Sequence, residues 1–368
     1  MSLRIAGMGW VTPLGRGLNS VWERLIRGDE ATAQPISDPI SHRRYCAFRV
    51  PDEKLKDLPL HPRLRRASAI SRFAAAAGLD ALAQARFAIG EIDLQRMALV
   101  FAISNGGVIY TKRFYHDVVE SGAQSASPLL FPETVFNAPA SHLAAILGIE
   151  GASYTIVGDG VVGILAAKMA SDLLDNEPLD ACLIVGTEEA DWLLCDAYHK
   201  WRVLKKEPPI ELFHNPPHGM ILSEGAGAVL LARKGSTQVD AIDPGGNFSN
   251  RREASEIVRR ILHHLAVDDG CVVASANGTF VDLAEATAME KELPQSVVYS
   301  PKRALGESVG ASAIWQTIVA AEALQTKQLP PMLDSGPYTR PGVDVSGGRA
   351  IVLSCGLNQQ VAGLRLSI

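Results

Sequence analysis

Short apolar runs alternate with helix-patterned stretches along this chain, and the alternation occurs twice in the same order. The first set holds Leu3–Ile5, a helix near Ser20–Arg27, an alanine-rich helix near Ser68–Ala83, and the run Met97–Ile103 ending in Ser104-Asn-Gly-Gly107. Tyr154–Val157, the helix Val161–Leu174, Ala181–Val185 and Ala226–Ala232 complete it. A second set begins after the Gly/Pro/Asn stretch Asp243–Asn250: a helix near Glu253–Leu265, the strand Cys271–Ala274, a helix, the strand Val297–Ser300 and a long apolar helix near Ala311–Leu324. Arg349–Ser354 and Val361–Leu366 form the last strand pair. Such alternation predicts an α/β architecture with largely buried strands. Two similar α/β halves are expected, 1–235 and 236–368, joined near residues 235–250. Only the order of elements is shared between them, not an obvious sequence repeat.

The bulk numbers remove several function classes. With 368 residues of which 47% are hydrophobic, the chain can bury a substantial core. Its 35 basic and 40 acidic residues leave a net charge of −5, which gives no general attraction to nucleic acid or anionic membranes. The start, Met1–Trp10, reads as a short strand rather than a secretory signal, and no stretch reaches the ~20 apolar residues of a membrane span, so a cytoplasmic protein is expected. Cys46, Cys182, Cys195, Cys271 and Cys355 are odd in number and widely spaced, which predicts reduced, mostly buried thiols and neither a disulfide framework nor a metal site.

The segment Ala152–Ala166 reads as a strand running through a glycine turn into a helix. Enzyme nucleophiles are often placed this way, because the turn exposes one side chain at a helix N-terminus where negative charge is favoured. At the tip stands Gly160, which has no side chain. A turn glycine is ordinarily explained by a positive φ or by close helix packing, and both are open to it. Gly158-Asp-Gly-Val-Val-Gly163 also satisfies the GxGxxG pattern of a dinucleotide site. That pattern wants an acidic residue ~20 residues on at the end of the next strand, whereas Ala181–Val185 ends in Gly186-Thr187 and Glu188 comes 25 residues after Gly163. No cofactor is expected.

Several blocks, in order, resemble the β-ketoacyl synthases, the carbon–carbon condensing enzymes of the thiolase superfamily. Gly7-Met-Gly-Trp-Val-Thr-Pro-Leu-Gly15 with Trp22-Glu-Arg-Leu25 looks like the family's opening, and Leu64-Arg-Arg-Ala-Ser68 like its arginine-rich helix start. Ser127–Asn137 resembles its interface segment and Gly219–Gly227 its acidic glycine motif. The resemblance implies a thiolase-like five-layer αβαβα fold, dimers, and an active-site cysteine at the position of Gly160. A thiolate is needed there to attack a thioester and later to leave, and glycine does neither.

The family's two histidines help decarboxylate the malonyl unit and stabilise the developing enolate. Ser275-Ala-Asn-Gly-Thr279 resembles the block bearing the first, with Asn277 in its place, and Ser300–Ala311 resembles the second, with Glu307 in the histidine position and Lys302 retained. Asparagine cannot act as a charged acid, and an ionised carboxylate repels an enolate. Asn277 and Glu307 also have a plainer reading as satisfied structural groups. In Ser354-Cys-Gly-Leu-Asn-Gln359, Leu357 falls where the family's gating phenylalanine would be. Asp159 reads as a helix cap before a replacement acid, Cys355 as a core thiol. The basic runs His61–Arg66 and Lys200–Lys206 could dock an acidic acyl carrier protein or be paired internally.

Some polyketide systems pair an active synthase with a sister lacking the cysteine, the chain-length factor. The resemblance therefore implies a non-catalytic subunit in type II polyketide, aryl polyene or fatty acid synthesis, as a heterodimer with a ketosynthase or as a homodimer. The alternative is a rewired enzyme of the same fold that transfers or hydrolyses acyl groups with Asp159, Glu307 or Lys302.

Overall fold

The computed structural model describes every residue except Met1, Pro59, Leu60, Arg66, Val267, Asp268, Asp269 and Ser346. Arg66, part of the arginine-rich helix start, thus lies outside the described residues. Ten strands carry the architecture: β1 Leu3–Thr12, β2 Met97–Ile103, β3 Ser153–Val157, β4 Ala181–Glu188, β5 Gly225–Ala232, β6 Thr237–Asn247, β7 Gly270–Val273, β8 Val297–Tyr299, β9 Arg349–Cys355 and β10 Gln360–Ser367. The helices are α1 Leu18–Ile26, α2 Ala69–Ile89, α3 Val108–Ser121, α4 Ala138–Leu147, α5 Val162–Asn176, α6 Trp192–Lys200, α7 Arg251–Leu265, α8 Phe280–Glu292, α9 Lys302–Leu305 and α10 Ser312–Thr326.

The strand order is β8-β7-β9-β10-β6 continued by β1-β5-β4-β2-β3. Numbered within its own half, each set reads 3-2-4-5-1. The directions match as well: β2 lies parallel to β3 and β4, with β5 antiparallel to β4 and β1, while β7 lies parallel to β8 and β9, with β10 antiparallel to β9 and β6. The chain is therefore two copies of one α/β plan, meeting where β1 pairs antiparallel with β6.

Helices α2 and α4 cover the outer face of the first half and α7 and α8 that of the second, while α5 and α10 lie between the halves and touch strands of both. This is the five-layer αβαβα arrangement. Strand β2 shows why the layers hold: Leu99, Phe101 and Ile103 enter the core under α2, and Ala98, Val100 and Ala102 enter the central core. A strand covered on both faces reads as an unbroken apolar run. Gly163, Gly186 and Gly227 are the closest approaches to α10. A Cβ on Gly163 would lie 2.9 Å from Ala313 Cβ and 3.0 Å from Ile314 Cδ1.

The Gly/Pro/Asn stretch read as a joint is a strand through Asn247. It pairs with β10 through a register shift between Asp243 and Gly246, and Gly245, at φ +68, turns so close that a Cβ would run into the Val361 carbonyl. Its glycines and proline build a bulge, not a linker. Strand β1 also runs well past Ile5, to Thr12.

Candidate functional site

Parallel strands present the loops after their carboxyl ends to one side, the usual place for a site in such sheets. After β3 the chain turns through Asp159 and Gly160 into α5, with the Gly158 N–H donating to Ile103 O at 3.1 Å. Gly160 is absent from the positive-φ residues, and a Cβ built on it would meet only Gly356 Cα at 3.4 Å and Cys355 O at 3.9 Å. A side chain fits. Neither backbone strain nor helix packing requires glycine here, because the close helix approach falls one turn later, at Gly163.

The loops after β7 and β8 bring the other positions together. Cys271 pairs with Val297 in register, and Ser300 Oγ donates to Ala276 O at 2.8 Å. Lys302, at the first turn of α9, points its Nζ at Glu307 Oε2 at 2.7 Å, with both side chains at most 3% exposed. Asn277 Nδ2 donates to the same oxygen at 2.7 Å, and its Oδ1 accepts from Thr279 Oγ1 at 2.6 Å. The cluster is a closed, charge-neutral unit, and only Glu307 Oε1 lacks a partner among the described residues. A buried ion pair of this kind persists because its charges and hydrogen bonds are matched. Asn277 is satisfied in this arrangement, and Glu307 is satisfied at one of its two oxygens.

Two buried carboxyls escaped the sequence reading. Asp282 accepts from the backbone N–H of Phe213 at 2.7 Å, Asn277 at 2.7 Å and Gly278 at 3.0 Å, and burial pushes it up to about 6. Glu285 accepts from Ser275 N at 3.0 Å and from Ser275 Oγ, and burial pushes it up to about 7. Their spacing of three residues on α8 places both on one helix face, a signal the sequence carries. Strand β9 ties this group to the first turn: Ser354 Oγ donates to Gly160 O at 2.8 Å and Cys355 N to Ser275 Oγ at 2.8 Å.

Asp159 stands apart from that unit. Its Oδ1 accepts from Val161 N at 3.3 Å and its Oδ2 from Asn358 N at 3.3 Å. Burial raises its carboxyl above the usual range. It makes a turn just before α5 and not a cap on the helix itself, whose N-cap residue is Val161. The carboxyl also occupies the N–H that a dinucleotide pyrophosphate would need. Cys355 is buried, and burial pushes its thiol well above its ordinary value, which disfavours the thiolate a nucleophile needs. All five cysteines are unpaired, and four are buried. Among the described residues no histidine bonds to Asn277, Lys302 or Glu307. Leu357 is half-buried against both neighbouring cores.

The basic runs differ. In Lys200–Lys206 two of the three lysines pair, Lys200 with Asp196 at 2.6 Å and Lys205 with Glu211. Arg65 and Arg72 line an open cleft of about 540 Å³ with His61, Leu55 and Leu58.

The fold and the grouping of these loops are those of a thiolase-like condensing enzyme. The family model "Beta-ketoacyl synthase, N-terminal domain" matches residues 2–236 and "Beta-ketoacyl synthase, C-terminal domain" matches 230–335, so this chain belongs to the β-ketoacyl synthase family. The 3-oxoacyl-[acyl-carrier-protein] synthase 2 of Vibrio cholerae is 22% identical over 374 residues, covering 93% of this chain and 90% of that protein. Two solved structures share the fold. The ishigamide ketosynthase/chain length factor has a TM-score of 0.86 at 18% identity, covering 100% of this chain and 98% of that one. The ketosynthase ApeO in complex with its chain length factor ApeC from Xenorhabdus doucetiae has 0.82 at 16%, with 100% and 98% covered. No helix among the described residues is long and apolar enough to cross a membrane.

Proposed function

We propose that this chain is a non-catalytic, chain-length-factor-like subunit that partners an active ketosynthase in type II polyketide, aryl polyene or fatty acid synthesis in the cytoplasm. The observation that carries the reading is Gly160, a position with room for a side chain and none present. Glycine supplies no nucleophile, and the positions we equate with the family's histidines hold a buried amide and a carboxylate already neutralised by Lys302. Glu307 and Lys302 converge on each other while Asp159 bonds elsewhere, so the alternative, an enzyme rewired around Asp159, Glu307 or Lys302, would have to work through the Lys302–Glu307 pair or through Asp159 alone.

The surface supports a partner. Helix α3 has no buried residue, and Tyr115, Val119, Leu129, Phe131, Val135 and Phe136 are exposed along it and the segment that follows. Edge strand β3 adds exposed Tyr154 and Val157, and α4 touches both regions. An apolar face this extended marks an interface. The two neighbouring structures are of a ketosynthase with a chain length factor, and we assign the face to such a partner before a second copy of this chain. The cleft of Arg65 and Arg72 suits an acidic acyl carrier protein.

Incubation with acyl- and malonyl-loaded carrier proteins tests the reading. The chain alone is expected to give no condensation, and its complex with a cysteine-bearing ketosynthase to give products that vanish when the partner's cysteine is replaced. Turnover by the chain alone rejects it.

A further inference from the structure

We propose that Asp159 is a latch that fastens the hairpin loop Gly356–Gln359 across the Gly160 turn and closes the approach to that turn. The carboxylate bridges two elements far apart in sequence, accepting from Val161 N on its own turn and from Asn358 N in the loop, each at 3.3 Å. The N–H groups of Gln359 and Gln360 also turn toward it and favour its ionised form. Several backbone donors converging on one carboxylate hold a loop end more firmly than water does. Gly356 fits the same arrangement, because a Cβ there would fall on the Asp159 carboxyl. The loop has a second tie at its base, where Gly356 N donates to Gln360 O at 2.8 Å. Beyond the base, Asn358 and Gln359 are exposed. Gln359 O also accepts from Phe248 N at 2.6 Å and Leu357 packs inward, so Asp159 is the side chain that ties the Asn358 amide at the tip.

A side chain placed at residue 160 would point at this loop, since its Cβ would abut Gly356 Cα at 3.4 Å and Cys355 O at 3.9 Å. Any ligand reaching Gly160 from that side must first displace the loop. Loss of the nucleophile and closure over its position are then separate features, and the latch stands whether or not the chain is catalytic.

Hydrogen exchange on the full chain tests the fastening. Asp159→Ala is expected to speed exchange of the amides at 358–360 at least tenfold, leaving α7 and β2 unchanged. Asp159→Asn, which keeps one acceptor oxygen, is expected to fall between the two. A thiol introduced as Gly160→Cys tests the closure: its alkylation by iodoacetamide, followed on the peptide that contains it, is expected to be at least tenfold faster with Asp159→Ala added. Unchanged exchange overturns the latch. Faster exchange with unchanged alkylation overturns the closure.

Discussion

The pocket behind Gly160 and the face built from α3, the segment that follows it and β3 are satisfied in opposite ways. In the pocket, Lys302, Glu307 and Asn277 bury a cation, an anion and an amide whose bonds close on one another. On the face, no residue of α3 is fully buried and Phe131 is 55% exposed. A region whose charges are matched within the chain and whose bonds are mostly met there has little left to offer a ligand. An apolar surface left bare offers the area it would remove from water, at roughly 25 cal/mol per Å². The contrast leaves unmatched apolar area on the surface and few unmatched groups in the buried cluster.

The largest expected effect is on the pocket. Glu307→Ala leaves the Lys302 ammonium buried without its anion, and chemical denaturation should read a loss of about 3–5 kcal/mol. Pairing Lys302→Met with Glu307→Leu should recover most of it, because the uncompensated charge is then gone. If the single variant melts like the native chain, the closed unit is not what stabilises this region.

On the face the expected change lies in association. Val157→Asp should weaken binding to a ketosynthase partner about 100-fold, near 2.7 kcal/mol, by titration calorimetry, while the isolated chain keeps its melting temperature. A fall in that temperature with unchanged binding would reverse the comparison, making the face part of this chain's own core.

The smallest effect separates two glycines three residues apart. Gly163→Ala presses a methyl into Ala313 and Ile314 and should cost ~1–2 kcal/mol, whereas Gly160→Ala should stay within about 0.5 kcal/mol of the native chain. Equal costs would mean that Gly160 is a packing residue after all.

Much of the fold was legible. Met97–Ile103 is the strand the apolar run predicts, and the helix near Glu253–Leu265 begins only two residues earlier, at Arg251. Helix α3 was not legible, because periodicity reports the burial a helix finds within its own chain, and no residue of α3 is fully buried. The strand pair Ala33–Ser37 with Arg44–Phe48 was missed as well. Its pattern is mostly exposed on the first strand, so alternation is weak there. Strand β6 was taken for a joint because Pro244, Gly245 and Gly246 look like a linker, and only pairing with β10 makes them a bulge.

For the site, the sequence alone determined what Gly160 and Asn277 lack as side chains. A glycine carries no thiol and an asparagine no titratable proton, whatever surrounds them. Tertiary structure alone decided what those positions do instead. The room beside Gly160 and the reach of Asp159 to Asn358 depend on loops brought together from opposite halves of the sheet, and the Lys302–Glu307 pair depends on how one short segment turns inward. Such distances follow from packing, and the order of residues does not encode them locally.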